Sequence, residues 1–150
     1  MSARLDSIIN GWPSWRLGLT LFALLFVIYQ ANLRSLYQVD CIPAPYTAWS
    51  LARHASFELP QHDDLRRHVG GVVMERENGA WISKYPPGGS LIALPFVAPF
   101  AWISPEPLRP GAMRRLGKWA AASCTAGAVV LFFFTCLALA PIGTLREAVD

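Results

Sequence analysis

Residues 17–46 read LGLTLFALLFVIYQANLRSLYQVDCIPAPY, and the change along this stretch from apolar to charged to proline-rich decides how the rest of the chain is read. Residues 17–33 carry no charge and are bracketed by Arg16 and Arg34. Such a run lies at the short end of the roughly 17–25 residues that cross a hydrocarbon core. It reaches residue 37 if Arg34 snorkels to the interface. Trp12 and Trp15 precede the run and Tyr29 and Tyr37 sit near its far end, the aromatic-belt pattern of a spanning helix. A cleaved signal peptide would have a shorter apolar core and a small-residue cleavage site, and none follows Tyr29. Residues 17–37 are therefore expected to be an uncleaved transmembrane helix, with residues 1–16 cytoplasmic. Asp40 comes directly after it. A carboxylate that close to a bilayer is either a cap on the next helix or part of a site, and it is taken here as a site residue.

Composition places the whole chain in the same setting. Hydrophobic residues make up 53% and charged residues 15%, with a mean hydropathy of +0.33. Soluble domains carry roughly 25% charged residues, so a membrane protein is expected. The net charge of +3 comes from basic residues at the ends of apolar runs rather than from a stripe with interleaved aromatics, which argues against a nucleic-acid partner. Cys41, Cys124 and Cys136 have no metal-binding spacing. Neither do His54, His62 and His68, and Asp63-Asp64 has the character of a solvated turn, so no divalent metal or other cofactor is expected.

Beyond Asp40, the prolines at 43 and 45 sit where a helix begins, and Ala44, Ala48, Leu51, Ala52 and Phe57 recur at near-helical spacing. This predicts an amphipathic helix over about 44–56 lying along the membrane surface, with Arg53 and His54 on its other face. Residues 58–68 are polar and poorly periodic, which predicts a loop. The segments 72–76 and 80–84 flank Asn78-Gly79, a strong turn signal, and predict a small β-hairpin. Residues 85–105 are uncharged but hold five prolines. That density of breakers opposes a straight span and favours a second juxtamembrane helix, about 87–104. The run at 119–145 is the clearest spanning segment, and Ser123 with Gly127 forms a small-residue face for a partner helix.

Charge gives two answers on topology. Arg4 and Arg16 favour a cytoplasmic N-terminus, whereas Arg109, Arg114, Arg115 and Lys118 before the last run would favour a third crossing. Weighing the prolines, the expectation is an all-α integral membrane fold with transmembrane helices at 17–37 and 116–141. Residues 38–112 form a long external loop with its juxtamembrane helices and small hairpin, and residues 142–150 form a C-terminal tail.

An Asp just outside the first span, Pro and Tyr in the following helix, a hairpin, and then Ser83-Lys84-Tyr85-Pro86-Pro87-Gly88 before an apolar helix together resemble the N-terminal part of polytopic GT-C glycosyltransferases. The pattern is most similar to the bacterial protein O-mannosyltransferase and lipid A aminoarabinose transferase families, over residues 17–140. In this chain Cys41-Ile42 follow the Asp and Pro45 precedes the Tyr, where many members carry charged residues. The resemblance implies transfer of a sugar, with inversion, from a polyprenyl-phosphate donor to an acceptor hydroxyl in a bacterial inner membrane. Asp40 would be the catalytic base, and Lys84, Tyr85 and Tyr46 would contact substrate, with Lys84 meeting the lipid phosphate. Members have many more spans, so the chain is expected to be the N-terminal segment of a longer protein. Its partners would be the remaining transmembrane helices, membrane lipid and the lipid-linked donor, and it would be inactive alone. The alternative is a small non-enzymatic membrane subunit or assembly factor whose external loop is a docking surface. A flippase or transporter component would need ionisable residues inside the spans, which are absent.

Overall fold

The computed structural model describes residues 14–31 and 39–139. Expectations for residues 1–13, for the extension of the first span through residues 32–37 and for the 142–150 tail lie outside the described residues. The chain is mostly helical, and the expected small hairpin is part of a three-stranded sheet. It divides into two compact units, Leu33–Ala121 on the one hand and Met1–Asn32 with Ala122–Asp150 on the other.

The Leu33–Ala121 unit is built on a central helix. A single 3-10 turn, Val39–Cys41, leads into α2, Pro43–His54 (α1, Ser14–Ala31, lies in the other unit). Pro43 supplies a preset φ at the first helical position, and the N-cap is Ile42 with no side-chain cap bond. Asp40 is therefore not the cap of this helix. Pro43 and residues 45–50 are all buried, so α2 is a core element rather than a helix with one face turned outward. Its end is closed by Ala55 in the left-handed region at φ 52°, with the Ala55 amide donating to the Leu51 carbonyl.

The sheet follows. Strands β1 (Glu58–Leu59), β2 (Val73–Glu75) and β3 (Trp81–Ser83) lie in the order β1-β3-β2 and are antiparallel throughout. Leu59 and Glu75 both pair with Trp81, on its two sides. The β2–β3 turn closes through Gly79 N–H to the Arg76 carbonyl at 2.8 Å and Arg76 N–H to the Ala80 carbonyl at 2.8 Å. Gly79 has φ +78° and Asn78 does not have a positive φ, so the turn is the three-residue form with a bulge rather than a two-residue Asn-Gly turn. Residues 58–68 are not a loop throughout: they contribute β1 and the short helix α3, Asp63–Arg66.

Helix α4, Gly88–Ile103, buries Ser90, Ala93, Val97 and Ala101, spaced as one helical face, and keeps Pro95 and Pro99 inside a continuous helix. It packs on α2, where a Cβ added at Gly89 would lie in ordinary contact with the Ala44 Cβ, at 3.6 Å. Arg53 at the end of α2 donates to the carbonyls of Ala101 and Trp102, both at 3.3 Å, and so satisfies the last turn of α4 with a cation. Leu91, Ile92, Phe100, Trp102 and Ile103 remain exposed on α4. Helix α5, Pro110–Leu139, begins in this unit, and its Met113, Leu116 and Ala120 complete a core with Tyr46, Trp49, Leu65, Val73 and Trp81.

The other unit contains α1, Ser14–Ala31, and the later part of α5. Gly18 is the close approach between them: a Cβ there would stand 2.6 Å from the Phe134 ring. Ala122 and Ala126 are buried, and among the described residues nothing lies within 4 Å of a Cβ added at Gly127. Among the described residues one segment, Pro110–Leu137, is long and apolar enough to cross a membrane, and α1 and α4 are shorter apolar helices.

Candidate functional site

Tyr85 is held at the junction between β3 and α4. Its amide donates to the Ser83 hydroxyl at 3.1 Å, and Pro86 and Pro87 fix the chain direction into α4. This places the phenol against the 3-10 turn that carries Asp40, and the Tyr85 hydroxyl donates to Asp40 Oδ1 at 2.8 Å. Two residues 45 apart in sequence are thus joined at the surface, both exposed. The hydrogen bond to Asp40, then partial desolvation and then the repulsion between two negative charges raise the Tyr85 pKa above the usual tyrosine value. The phenol therefore stays a donor across the physiological range.

Beside Tyr85 lies a cleft of about 170 Å³ lined by Thr47, Phe57, Arg76, Ile82, Ser83, Tyr85, Pro87 and Ser90. Of these, Thr47 has its hydroxyl committed to the Pro43 carbonyl at 3.1 Å. One cation and no carboxylate line the cleft.

The other two expected site residues are placed differently. Lys84 points its ammonium at the Gly70 carbonyl, 2.9 Å away, bracing the turn before β2, and it does not line the cleft. Tyr46 is 1% exposed and its hydroxyl donates to Asp64 Oδ2 at 3.1 Å, so it serves the interior of the unit.

Asp64 itself is a correction. Far from a solvated turn, it is 2% exposed and is held by Tyr46, by Arg114 at 3.1 Å and more distantly by Arg67 at 3.8 Å. Its own amide donates to His62 Nδ1 at 3.3 Å, and the His62 ring lies 5.5 Å from that of Tyr46. The cluster ties α3 to α2 and to the first turns of α5. Reasoning on the sequence missed Asp64, Arg114, Arg76 and Ser90. They share no local signal, since what marks each of them is a contact with residues distant in sequence.

Among the described residues no group of three or more His, Cys, Asp and Glu side chains is gathered as metal ligands would be. The chain matches no family model, and no curated protein and no solved structure shows significant similarity to it.

Proposed function

We propose that this chain is the N-terminal part of a polytopic membrane glycosyltransferase that moves a sugar from a polyprenyl-phosphate donor to an acceptor hydroxyl. The observation that carries the reading is the 2.8 Å hydrogen bond from Tyr85 to Asp40 at the rim of a cleft with one cation and no acid. A helix long and apolar enough to cross a bilayer supports the membrane setting.

In this reaction Asp40 takes the proton of the acceptor hydroxyl as that oxygen attacks the anomeric carbon. The bond from that carbon to the phosphate oxygen breaks, and polyprenyl phosphate leaves with the electron pair. Tyr85 occupies Oδ1, so the second oxygen of Asp40 faces the acceptor. The remaining spans of the protein supply the acceptor and donor channels. Exposure of Asp40 suits a base that must meet an incoming substrate.

The test is transfer by the protein that contains this chain, in membranes supplied with a polyprenyl-phosphate sugar. Asp40→Asn keeps shape and removes basicity, and it is expected to lower turnover by roughly 10²–10⁴-fold, the range for loss of a general base, with insertion unchanged. An Asn variant at the wild-type rate would remove Asp40 from the chemistry and leave it as structure, and no transfer by the protein that contains this chain would favour the docking-subunit alternative.

A further inference from the structure

Helix α4 runs Gly88–Ile103, and the sequence has no charged residue anywhere from 85 to 105. One face of it is buried in its own unit, where it packs on α2. The opposite face carries Leu91, Ile92, Pro95, Pro99, Trp102 and Ile103, all exposed. Exposure is greatest at the C-terminal end, 69% at Trp102 and 84% at Ile103. A contiguous apolar face of this kind marks a surface that something covers, unlike the single hydrophobic side chains scattered over any protein. Sixteen residues make a helix about 24 Å long, short of the roughly 30 Å hydrocarbon core of a bilayer.

The backbone of α4 sets how deep each part can go. Pro95 and Pro99 donate no amide, which leaves the carbonyls of Leu91 and Pro95 without their helical donors. Such carbonyls need water, and hydrocarbon has none. The last carbonyls of a helix are ordinarily in the same position, yet here they are supplied from within the protein. Arg53 donates to the carbonyls of Ala101 and Trp102, both at 3.3 Å, and the Ser104 amide donates to that of Phe100 at 2.8 Å. The end with the most exposed apolar side chains is thus the end whose backbone depends least on solvent.

Charge fixes the level at which that end is held. Residues 104–109 join α4 to α5, which contains the segment long and apolar enough to cross a membrane. Between residues 104 and 121 the chain has Arg109, Arg114, Arg115 and Lys118 against Glu106 alone, and Arg109 and Arg115 are exposed. Cations at the mouth of a spanning helix sit at the level of the headgroup phosphates.

We infer that the outer face of α4 docks on a phospholipid bilayer as a tilted wedge, with Trp102 and Ile103 below the headgroups and Leu91 and Ile92 at their level. The occupant is lipid because that end of α4 offers no polar side chain except the Trp102 indole, an amphipathic ring suited to the membrane interface. The inference rests on the membrane setting of the proposed function and on none of its sugar chemistry.

The test is spin labelling of the full-length protein in phosphatidylcholine nanodiscs. Ile103→Cys, Ile92→Cys and Glu77→Cys carry a nitroxide one at a time, in a background of Cys41→Ser, Cys124→Ser and Cys136→Ser, and Val129→Cys reports on the span. Collision with oxygen, which concentrates in hydrocarbon, relative to collision with a water-soluble nickel chelate should be several-fold higher at 103 than in the charged turn at 77, and intermediate at 92. Without any label, Trp102→Phe should remove emission that brominated phospholipid quenches. Water-like accessibility at 103 beside lipid-like accessibility at 129 would overturn the inference and leave the membrane reading standing, whereas water-like accessibility at both would overturn both. A label at 103 shielded from both reagents would mean that a protein segment covers the face, and equal depth at 92 and 103 would overturn the tilt.

Discussion

Tyr85 donates to Asp40 at 2.8 Å and Tyr46 donates to Asp64 at 3.1 Å, so one unit contains the same pair of side chains twice. The surroundings differ in every respect that sets energy. Asp64 is 2% exposed, with an arginine at 3.1 Å and a tyrosine that is itself buried. Asp40 is exposed, with the phenol of Tyr85 as its one hydrogen-bond partner among the described residues. A carboxylate out of water must be fully compensated by fixed partners and is then unavailable for anything else. One left at the surface costs little to hold and keeps an oxygen for an incoming group. The difference teaches that the pair is not itself a signature of chemistry: burial and the number of partners decide whether it is a clamp or a site.

The largest separation between the two should appear in stability. Asp64→Ala leaves Arg114 and Tyr46 without their shared acceptor, and removal of one member of a buried ion pair costs roughly 3–5 kcal/mol. The Arg114 side chain is 36% exposed and can rehydrate, which puts the expectation at the lower end, about 3 kcal/mol. Asp40→Ala should stay within about 0.5 kcal/mol, the range for exposed positions. Denaturation of the two variants in detergent micelles measures both. Equal losses would mean that Asp40 is also a structural clamp.

That contrast also shows where the sequence was legible. Pro43 at a helix start and Asn78-Gly79 at a turn are local signals, because fixed φ and positive φ are properties of single residues, and both elements form. The third strand was not legible, since Glu58–Leu59 has too few residues for any alternation to show. Asp63-Asp64 looked solvated because its neighbours in sequence are charged, while the groups that bury Asp64 come from 18 residues upstream and 50 downstream. For the same reason Lys84 drew a role from the block around it, although its ammonium turns back to Gly70. The pairing of Tyr85 with Asp40 joins two residues that were each singled out, but the sequence held nothing to say they meet.

The tyrosines give the next, smaller comparison. Tyr46→Phe removes a donor from a buried carboxylate, and a hydrogen bond to a charged group contributes roughly 1.5–3 kcal/mol, so a loss near 1.5 kcal/mol is expected in the same denaturation experiment. Tyr85→Phe should not move stability. If Tyr85 positions Asp40, its loss instead lowers kcat for transfer several-fold with KM held, because the carboxylate keeps its charge but not its orientation. A Tyr85→Phe variant that raised KM alone would make Tyr85 a substrate contact rather than a positioning residue.

The smallest effect is spectroscopic and isolates the exposed pair from everything else. The Tyr85 phenol is held above the usual value of 10.0 first by its hydrogen bond to Asp40, then by desolvation and by the charge of that carboxylate. A raised value means that the contribution of the pair is fully present below the ordinary tyrosine value and is lost as pH rises through the raised one. At neutral pH the phenol is therefore a donor to Asp40, and strongly alkaline solution removes its proton. Asp40→Asn keeps an acceptor oxygen and removes the charge, so the Tyr85 titration should move down towards 10.0. Asp40→Ala removes the acceptor as well and should move it further. The signal is isolated by subtracting the ultraviolet titration of the matching Tyr85→Phe variant, which leaves the other three of the four tyrosines unchanged. A Tyr85 titration indifferent to both substitutions would mean that the 2.8 Å bond does not persist in solution, and the exposed pair would then lose the one feature that distinguishes it from two unrelated surface residues.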